Sequence, residues 1–371
     1  MPNRSKISLE KLDMGLIVAA FILMLYGMIA IASATHFQIF GNEDQVWFVK
    51  RQGIFIFCSV FVVWFSFRFD YRSLKDLAPL FYIMTIFLLL LVLLVGKSAL
   101  GAQRWLDIGP IRLQPSEFAK IFMIIVLASF LSRRINQLQG WLEVLPAFAL
   151  IGVPAVLVLR QPDLGTAMVF VGILMGTLFV AGITWRILGM MTGIALLALP
   201  VFWHFLHDYQ KSRILVLINP NEDPLGAGYH VIQSQIAIGS GQFFGKGLFS
   251  GSQSQLNFLP ENHTDFIFSV IGEEMGFIGS AILILTYGFL LYRTLRIAGE
   301  AQDDFGMLLA SGIASMWAFH LLVNIGMTMG VMPVTGVPLP FVSYGLSSLL
   351  TNLCAIALIL NIYIRRRKIS F

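Results

Sequence analysis

Four carboxylates and one histidine lie within residues 261–276, ENHTDFIFSVIGEEMG, where a long apolar run begins. Asp265 stands at the mouth of that run and could act as a general base, which takes a proton from a hydroxyl group. The alternative role for Asp265 is structural, at a helix N-terminus that Thr264 would cap. Glu273 and Glu274 lie about two turns further on, where a carboxylate facing lipid costs about 2.5 kcal/mol or more. These two acids must therefore face a cavity, bind a proton or pair with a cation.

Other charged residues fall at the ends of neighbouring apolar runs. Glu117 and Lys120 in PSEFAK are three residues apart, so on a helix they share one face and can form an ion pair. Arg160 and Asp163 in RQPDLGT flank a tight turn, and Arg104 lies in GAQRW. Each acid also has a purely structural alternative, because a carboxylate near a helix N-terminus complements the helix dipole.

The elements that position these residues follow from the composition. The chain has 371 residues, of which 57% are hydrophobic and only 12% charged, which is typical of an all-α polytopic membrane protein. Its two cysteines both lie in apolar runs, which argues against a disulfide framework or a cysteine metal site. Ten runs are long enough to cross a bilayer, and we place them at 14–34, 53–67, 77–95, 116–131, 142–159, 164–182, 187–206, 266–291, 306–329 and 344–364.

The basic residues predict the orientation. Fifteen of the 25 Lys and Arg residues lie in the short segments and tails that ten spans would leave on one side. By the positive-inside rule that side, which carries both termini, is the cytoplasm. The net charge of +5 is thus explained by topology and gives no reason to expect a nucleic-acid partner.

Two outer segments are too polar to span. They are residues 96–116 and the long loop 207–265 between the seventh and eighth helices, within a single transmembrane domain, 1–371. In this loop YHVIQSQIAIG has amphipathic spacing and predicts a short helix along the membrane surface. GSGQFFG, residues 239–245, lacks the spacing of a nucleotide-binding motif and is interpreted as a flexible turn. His320 and Asn324 in the ninth span are expected to form helix–helix hydrogen bonds.

An outer cavity with cations, acids and lipid-exposed walls suits a substrate with an anionic head and a long apolar tail. Glycan transfer from a polyprenyl pyrophosphate fits this description, because cations stabilise the leaving diphosphate and a carboxylate activates the incoming hydroxyl. A proton-coupled transporter would line a cavity with the same residue types, so the pattern alone leaves both open.

Five blocks of the sequence resemble the SEDS family of RodA, FtsW and SpoVE proteins, in matching order from the first span to the last. They are GAQRWLDIGPIRLQPSEFAK, RQPDLGTA, DPLGAGYHVIQSQIAIGSG, FLPENHTDFIFSVIGEEMG and GVPLPFVSYG. Several of these blocks lean toward the RodA branch. The chain departs from the family pattern at Leu346 and Gln242, where the family usually has glycine, while Pro338 and Pro340 still favour an irregular re-entrant loop.

The resemblance implies a peptidoglycan glycosyltransferase that polymerises lipid II on the outer face of the cytoplasmic membrane for elongation and shape. It assigns Asp265 as the base, with His263 as a supporting neighbour. The candidates for holding pyrophosphate are Arg104, Lys120 and Arg213, followed by Arg51 and Arg160.

The remaining acids are assigned supporting roles. Glu117 and Asp163 would orient those cations or bind a divalent ion, Mg²⁺ or Mn²⁺, and no other cofactor is implied. Glu273 and Glu274 are expected to shape the cavity beneath Asp265.

The expected partners are lipid II, the nascent glycan strand, a class B penicillin-binding protein and other membrane proteins of the elongation complex. Three alternatives remain: a lipid II flippase, a division or sporulation paralogue, and a scaffold in which Asp265 is dispensable. A flippase would need charge along the whole path, whereas the unexplained charge here lies in the outer half.

Overall fold

The computed structural model describes residues 12–35, 47–99, 102–109, 111–205, 208–220, 223, 226–256 and 258–366. Over these residues the chain is almost entirely helical. Ten long helices overlap the ten predicted spans: α1 (Met14–Ala34), α2 (Trp47–Ser66), α4 (Ala78–Val95), α5 (Pro115–Leu131), α6 (Trp141–Arg160), α7 (Leu164–Val180), α8 (Trp185–Phe205), α12 (Ile267–Gly299), α13 (Asp304–Thr328) and α14 (Leu346–Ile364).

Seven of these helices, counted over the described residues, are long and apolar enough to cross a membrane. The predicted all-α polytopic fold is confirmed. A short helix α3 (Ser73–Asp76) lies between α2 and α4, and the loop between α8 and α12 contains α9 (Asp208–Ile218), α10 (Ala227–Ser240) and α11 (Ser252–Gln255).

The described part of segment 96–116 contains no spanning helix, as predicted, but it forms a small sheet that was not predicted. Its strands β1 (Lys97–Ala99), β2 (Ala102–Ile108) and β3 (Ile111–Leu113) pair antiparallel in that order. Gly109 between β2 and β3 has φ +61, a turn conformation that glycine adopts readily. The sheet places Arg104 on its central strand.

The core of the bundle is α13, which packs against α5, α7 and α12. Polar side chains join its neighbours to it: the indole nitrogen of Trp317 donates to Asn352 Oδ1 of α14 at 2.8 Å. Leu346, one of the two departures from the family pattern, begins α14 and is only 8% exposed. A buried leucine is therefore accommodated at this point.

Helix α12 differs from the predicted continuous span because it is broken at Gly276, where φ is +63 and ψ −159. The glycine-rich turn 241–247 fills the break. It is tightly packed rather than flexible: a Cβ on Gly241 would lie 1.9 Å from the carbonyl oxygen of Gly272. Gln242, the other departure, has φ +50, a left-handed conformation that favours glycine.

Helix α10 covers the predicted amphipathic segment and packs on the first part of α12 and the last part of α13. The Ser234 hydroxyl lies 2.6 Å from that of Ser269 and donates to the Thr328 carbonyl at 2.6 Å. The position of α10 along a membrane surface stays a prediction. Residues 329–345, between α13 and α14, are irregular as the prolines predicted.

Candidate active site

Asp265 lies just before α12, where the end of the long loop meets the irregular segment 329–345. Its Oδ2 would be 3.1 Å from a Cβ on Gly336, which has φ +70. The absence of a side chain at Gly336 lets the irregular segment pass directly beside the carboxylate. Any other residue there would both strain the backbone and crowd the acid.

Within the described residues the Asp265 carboxylate forms no hydrogen bond or ion pair, although the residue is only partly exposed. It does not cap α12 either, because the N-cap residue is Phe266 and has no side-chain cap. Thr264 instead donates to Glu261 Oε2 at 3.0 Å, so the capping alternative is wrong. This leaves an acid with both oxygens open to a ligand.

Burial raises the pKa of Asp265 to about 6, and the negative charge of Glu261 adds to the effect. The positive charges of Arg213 and Arg104 act in the opposite direction. A carboxyl group with this pKa is mostly ionised at neutral pH, yet it is a stronger base than an ordinary aspartate. Glu261, exposed and four residues before Asp265, was not among the predicted site residues.

The backbone around Asp265 is held by side chains of the bundle. Asn324 of α13 donates to the carbonyl oxygens of Asp265 at 3.0 Å and Val337 at 2.8 Å. Ser343 donates to the Thr264 carbonyl at 2.7 Å. The predicted helix–helix role of Asn324 is wrong, since the amide joins two loops. These bonds fix the acid's backbone against the irregular segment.

Glu117, Lys120 and His320 form a buried cluster beneath the irregular segment. Lys120 Nζ lies 2.6 Å from Glu117 Oε1 and 3.1 Å from His320 Nε2, and His320 Nδ1 lies 2.9 Å from the Pro338 carbonyl. The predicted Glu117–Lys120 pair and the helix–helix contact of His320 are confirmed. Lys120 is only 1% exposed, which is at odds with its predicted direct contact with a pyrophosphate.

Arg104 and Asp163 build the predicted tight turn between α6 and α7. Arg104 donates to the carbonyl oxygen of Gln161 at 3.3 Å and to that of Pro162, and its guanidinium lies 3.7 Å from Asp163 Oδ1. Asp163 caps α7 by accepting from Thr166 N at 3.1 Å and Thr166 Oγ1 at 2.9 Å. Arg104 thus anchors the turn while its charge acts on Asp265.

His263 faces an aromatic cluster. Its ring centre lies 5.0 Å from that of Phe48 and 5.9 Å from that of Tyr344. Burial lowers the pKa of His263, which favours its neutral form. Arg51 donates to the Tyr344 hydroxyl, which ties α2 to the same cluster.

Two predicted cations differ in exposure. Arg213 on α9 is half-buried, and its charge acts on Asp265 and on His230 of α10. Arg160, the last residue of α6, is exposed. His230, whose pKa is lowered by burial and then by Arg213, was not predicted, because nothing in an amphipathic helix pattern marks one histidine as a neighbour of that arginine.

Glu273 and Glu274 are structural groups that hold the loop before α12. Glu273 is fully buried and accepts from Lys246 Nζ at 2.8 Å and from the backbone of Gln253 and Ser254 at 3.0 and 3.2 Å. Glu274 accepts from Ser33 of α1 at 2.6 Å. The predicted pairing with a cation is thus confirmed for Glu273. Loop amides and α1 surround the two acids, in place of the cavity beneath Asp265 that they were expected to shape.

A preformed divalent site does not fit these acids. Among the described residues no group of three or more His, Cys, Asp or Glu side chains could hold a metal ion. Asp163 already accepts from the Thr166 amide and hydroxyl, and Glu117 is bound to Lys120. Their predicted role as orienting partners of cations agrees better with this geometry.

The fold and the site define a polytopic membrane protein with a partly exposed acid at one end of its helical bundle. The model of the FtsW/RodA/SpoVE family of cell cycle proteins matches residues 14–368. The chain therefore belongs to this family.

Individual relatives agree with that assignment. "Peptidoglycan glycosyltransferase MrdB" of Escherichia coli strain K12 is 45% identical over 300 residues, which cover 81% of each chain. The solved RodA of Thermus thermophilus is 32% identical with a TM-score of 0.71, covering 96% of this chain and 98% of that one. A chain from the "structural coordination of polymerization and crosslinking by a peptidoglycan synthase complex" has a TM-score of 0.80 at 33% identity, covering 95% and 97%.

Proposed function

We propose that this protein is a peptidoglycan glycosyltransferase that polymerises lipid II in cell elongation, with Asp265 as its general base. Family membership and the similarity to a relative named as such an enzyme support the activity. The observation that carries the residue assignment is the Asp265 carboxylate, which has no partner among the described residues and a pKa of about 6.

In the proposed reaction Asp265 removes the proton from the 4-hydroxyl of the acceptor GlcNAc. The oxygen then attacks the anomeric carbon of the donor MurNAc, the new C–O bond forms with inversion, and the bond to undecaprenyl pyrophosphate breaks. Arg104 and Arg213, whose charges already act on Asp265, would stabilise the diphosphate as it leaves. Arg51 and Arg160 are further candidates for this role, and His263 and Asp163 support the loops around the base.

The charge distribution supports cytoplasmic termini and an active site on the outer face. The similarity to a chain of a peptidoglycan synthase complex supports a transpeptidase partner, a class B penicillin-binding protein. Other proteins of the elongation complex would bind elsewhere on the helices.

The test is polymerisation of lipid II by the purified protein with its transpeptidase partner, with glycan strands resolved on a gel. Asp265→Asn should lower the rate by about a hundredfold to ten-thousandfold, the usual effect of removing a positioned base. Asp304→Asn makes the same chemical change on an exposed residue and should keep the rate. Asp304 is the first residue of α13, at the end of this helix opposite to Asn324, which contacts Asp265. Polymer formed by Asp265→Asn at the normal rate would remove the base, and lipid II transport without polymer would favour a flippase.

A further inference from the structure

The break in α12 leaves carbonyl groups at the end of its first half, 267–275. The adjacent turn 241–247 satisfies them. Lys246 N donates to the Glu273 carbonyl at 3.0 Å, and Gly247 N donates to the Glu274 carbonyl at 3.0 Å. The end of the first half is therefore paired with protein rather than left for water.

The same turn satisfies the start of the second half, 277–299. Phe277 N donates to the Gln242 carbonyl at 2.9 Å, and Ile278 N donates to the Phe243 carbonyl at 3.2 Å. The turn thus closes the break from both sides. Irregular backbone is tolerated at membrane depth only where its polar groups are paired in this way.

Three phenylalanines project from the closed break, and we call Phe243, Phe244 and Phe277 the aromatic foot. They are 56%, 79% and 62% exposed. The ring centre of Phe243 lies 5.4 Å from that of Phe244 and 5.5 Å from that of Phe277, so the three rings form one patch. Exposed rings on this scale need an apolar or interfacial environment.

The aromatic foot continues the membrane-facing side of α12. Beyond Phe277, exposed apolar residues follow along the helix, including Ile282, Leu285 and Phe289. The second half has about 23 residues and a length of about 34 Å, which is enough to cross the roughly 30 Å of hydrocarbon. This length fits a break at the membrane boundary, where aromatic side chains are enriched.

We infer that the aromatic foot inserts into the headgroup–acyl boundary of the leaflet on the Asp265 side and so anchors the loop 241–256 to the lipid surface. The ligand of this surface is the bilayer itself. Because the loop is bonded through Glu273 to the first half of α12, the anchor sets the depth of the segment that leads back to Asp265. The inference concerns lipid contact and is independent of the catalytic role of Asp265.

The experiment uses the full chain with Cys58→Ser and Cys354→Ser, carrying a spin label at Phe244→Cys in liposomes of phosphatidylethanolamine and phosphatidylglycerol. Collision rates with oxygen, which concentrates in lipid, and with a water-soluble nickel chelate report the depth. Labels at Leu285→Cys, in mid-helix, and Arg112→Cys, on the exposed hairpin, give the lipid and water references.

We expect the label at residue 244 to collide more often with oxygen than with the chelate, with a depth between the two references. A label as accessible to the chelate as that at residue 112 would overturn the inference. A label protected from both reagents would mean that protein, such as a partner's helix or a second copy, covers the foot, and this would also overturn it.

A second variant tests the foot as a unit. Phe243→Ser, added to the labelled chain, removes the ring that lies between the other two and should raise the collision rate of label 244 with the chelate. The thermal transition in detergent checks that the fold is kept, since Phe243 contributes its carbonyl, not its side chain, to the closed break. An unchanged collision rate would contradict insertion of the foot.

Discussion

Asp265 and Glu273 lie about two helical turns apart in one segment, yet their surroundings are opposite. Glu273 is fully buried and accepts from Lys246, two backbone amides and two hydroxyls. Asp265 is partly exposed and, among the described residues, has no partner for its carboxylate. A carboxylate that accepts hydrogen bonds from many protein donors has a structural role. A carboxylate without such donors, on a residue whose backbone alone is fixed, remains available for a substrate.

We expect the largest loss of stability from Glu273→Gln. The amide leaves Lys246 without its buried counter-charge and turns an NH₂ toward donors, so the loss should be about 2–4 kcal/mol. Thermal denaturation of the purified protein measures it. Asp265→Asn, subjected to the same assay at pH 7, should show no such loss; equal destabilisation by both changes would erase the distinction.

The second prediction is that Asp265→Asn stabilises the protein at high pH. The folded pKa of about 6 lies above the ordinary value of 3.8, so ionisation of Asp265 destabilises the fold as pH rises through this window. At pH 8 the free energy of unfolding of the variant should exceed that of the wild type by about 1–3 kcal/mol, because one pKa unit corresponds to about 1.36 kcal/mol.

The measurement is the melting temperature of both proteins from pH 4 to pH 8. Their difference should shrink steadily as pH falls toward 4, where Asp265 is almost fully protonated in the folded wild type and still partly ionised in the unfolded chain. A constant difference across the range would mean that the charge of Asp265 is not the cause.

A smaller effect is expected at the closed break. Gln242 has φ +50 and presents its carbonyl to Phe277 N, so glycine would keep the hydrogen bond and relieve the strained conformation. Gln242→Gly should raise stability by about 1 kcal/mol. Gln235→Gly, in the regular helix α10, is the matched control and should lower stability; a gain in both would point to a general effect of the substitution.

The long apolar helices could be predicted from the sequence because span length and hydropathy depend on local composition. The Glu117–Lys120 pair and the Arg160–Asp163 turn were also predictable, since both are set by spacing of three residues. In contrast, the break at Gly276 depends on backbone bonds with residues 242–247, which are remote in the sequence. The sheet of residues 97–113 was missed because its strands are short and lie in a segment that only its polarity distinguishes.

Only part of the site could be predicted, because local sequence patterns reveal some of its residues and not others. Asp265 lies in a recognisable local pattern. The hydrogen-bond partners of Glu273 and Glu274 could not be predicted, because the backbone amides of a loop leave no signature in the types of side chain. Asn324 was taken for a helix–helix contact, since a lone asparagine in an apolar span does not reveal that its partners are the Asp265 and Val337 carbonyls. Glu261 could have been found, because it is an acid four residues before the predicted base.

The most direct test of the central claim, that an unpaired Asp265 carboxylate is the base, is the polymerisation rate as a function of pH in the wild type and Glu261→Gln. Because the base must be ionised, the wild-type rate should fall as pH drops through about 6. Removing the charge of Glu261 should lower the pKa of Asp265 and move this acid limb to lower pH. An acid limb that stays in place in Glu261→Gln, or a rate independent of pH between 5 and 8 when chemistry limits turnover, would contradict the account.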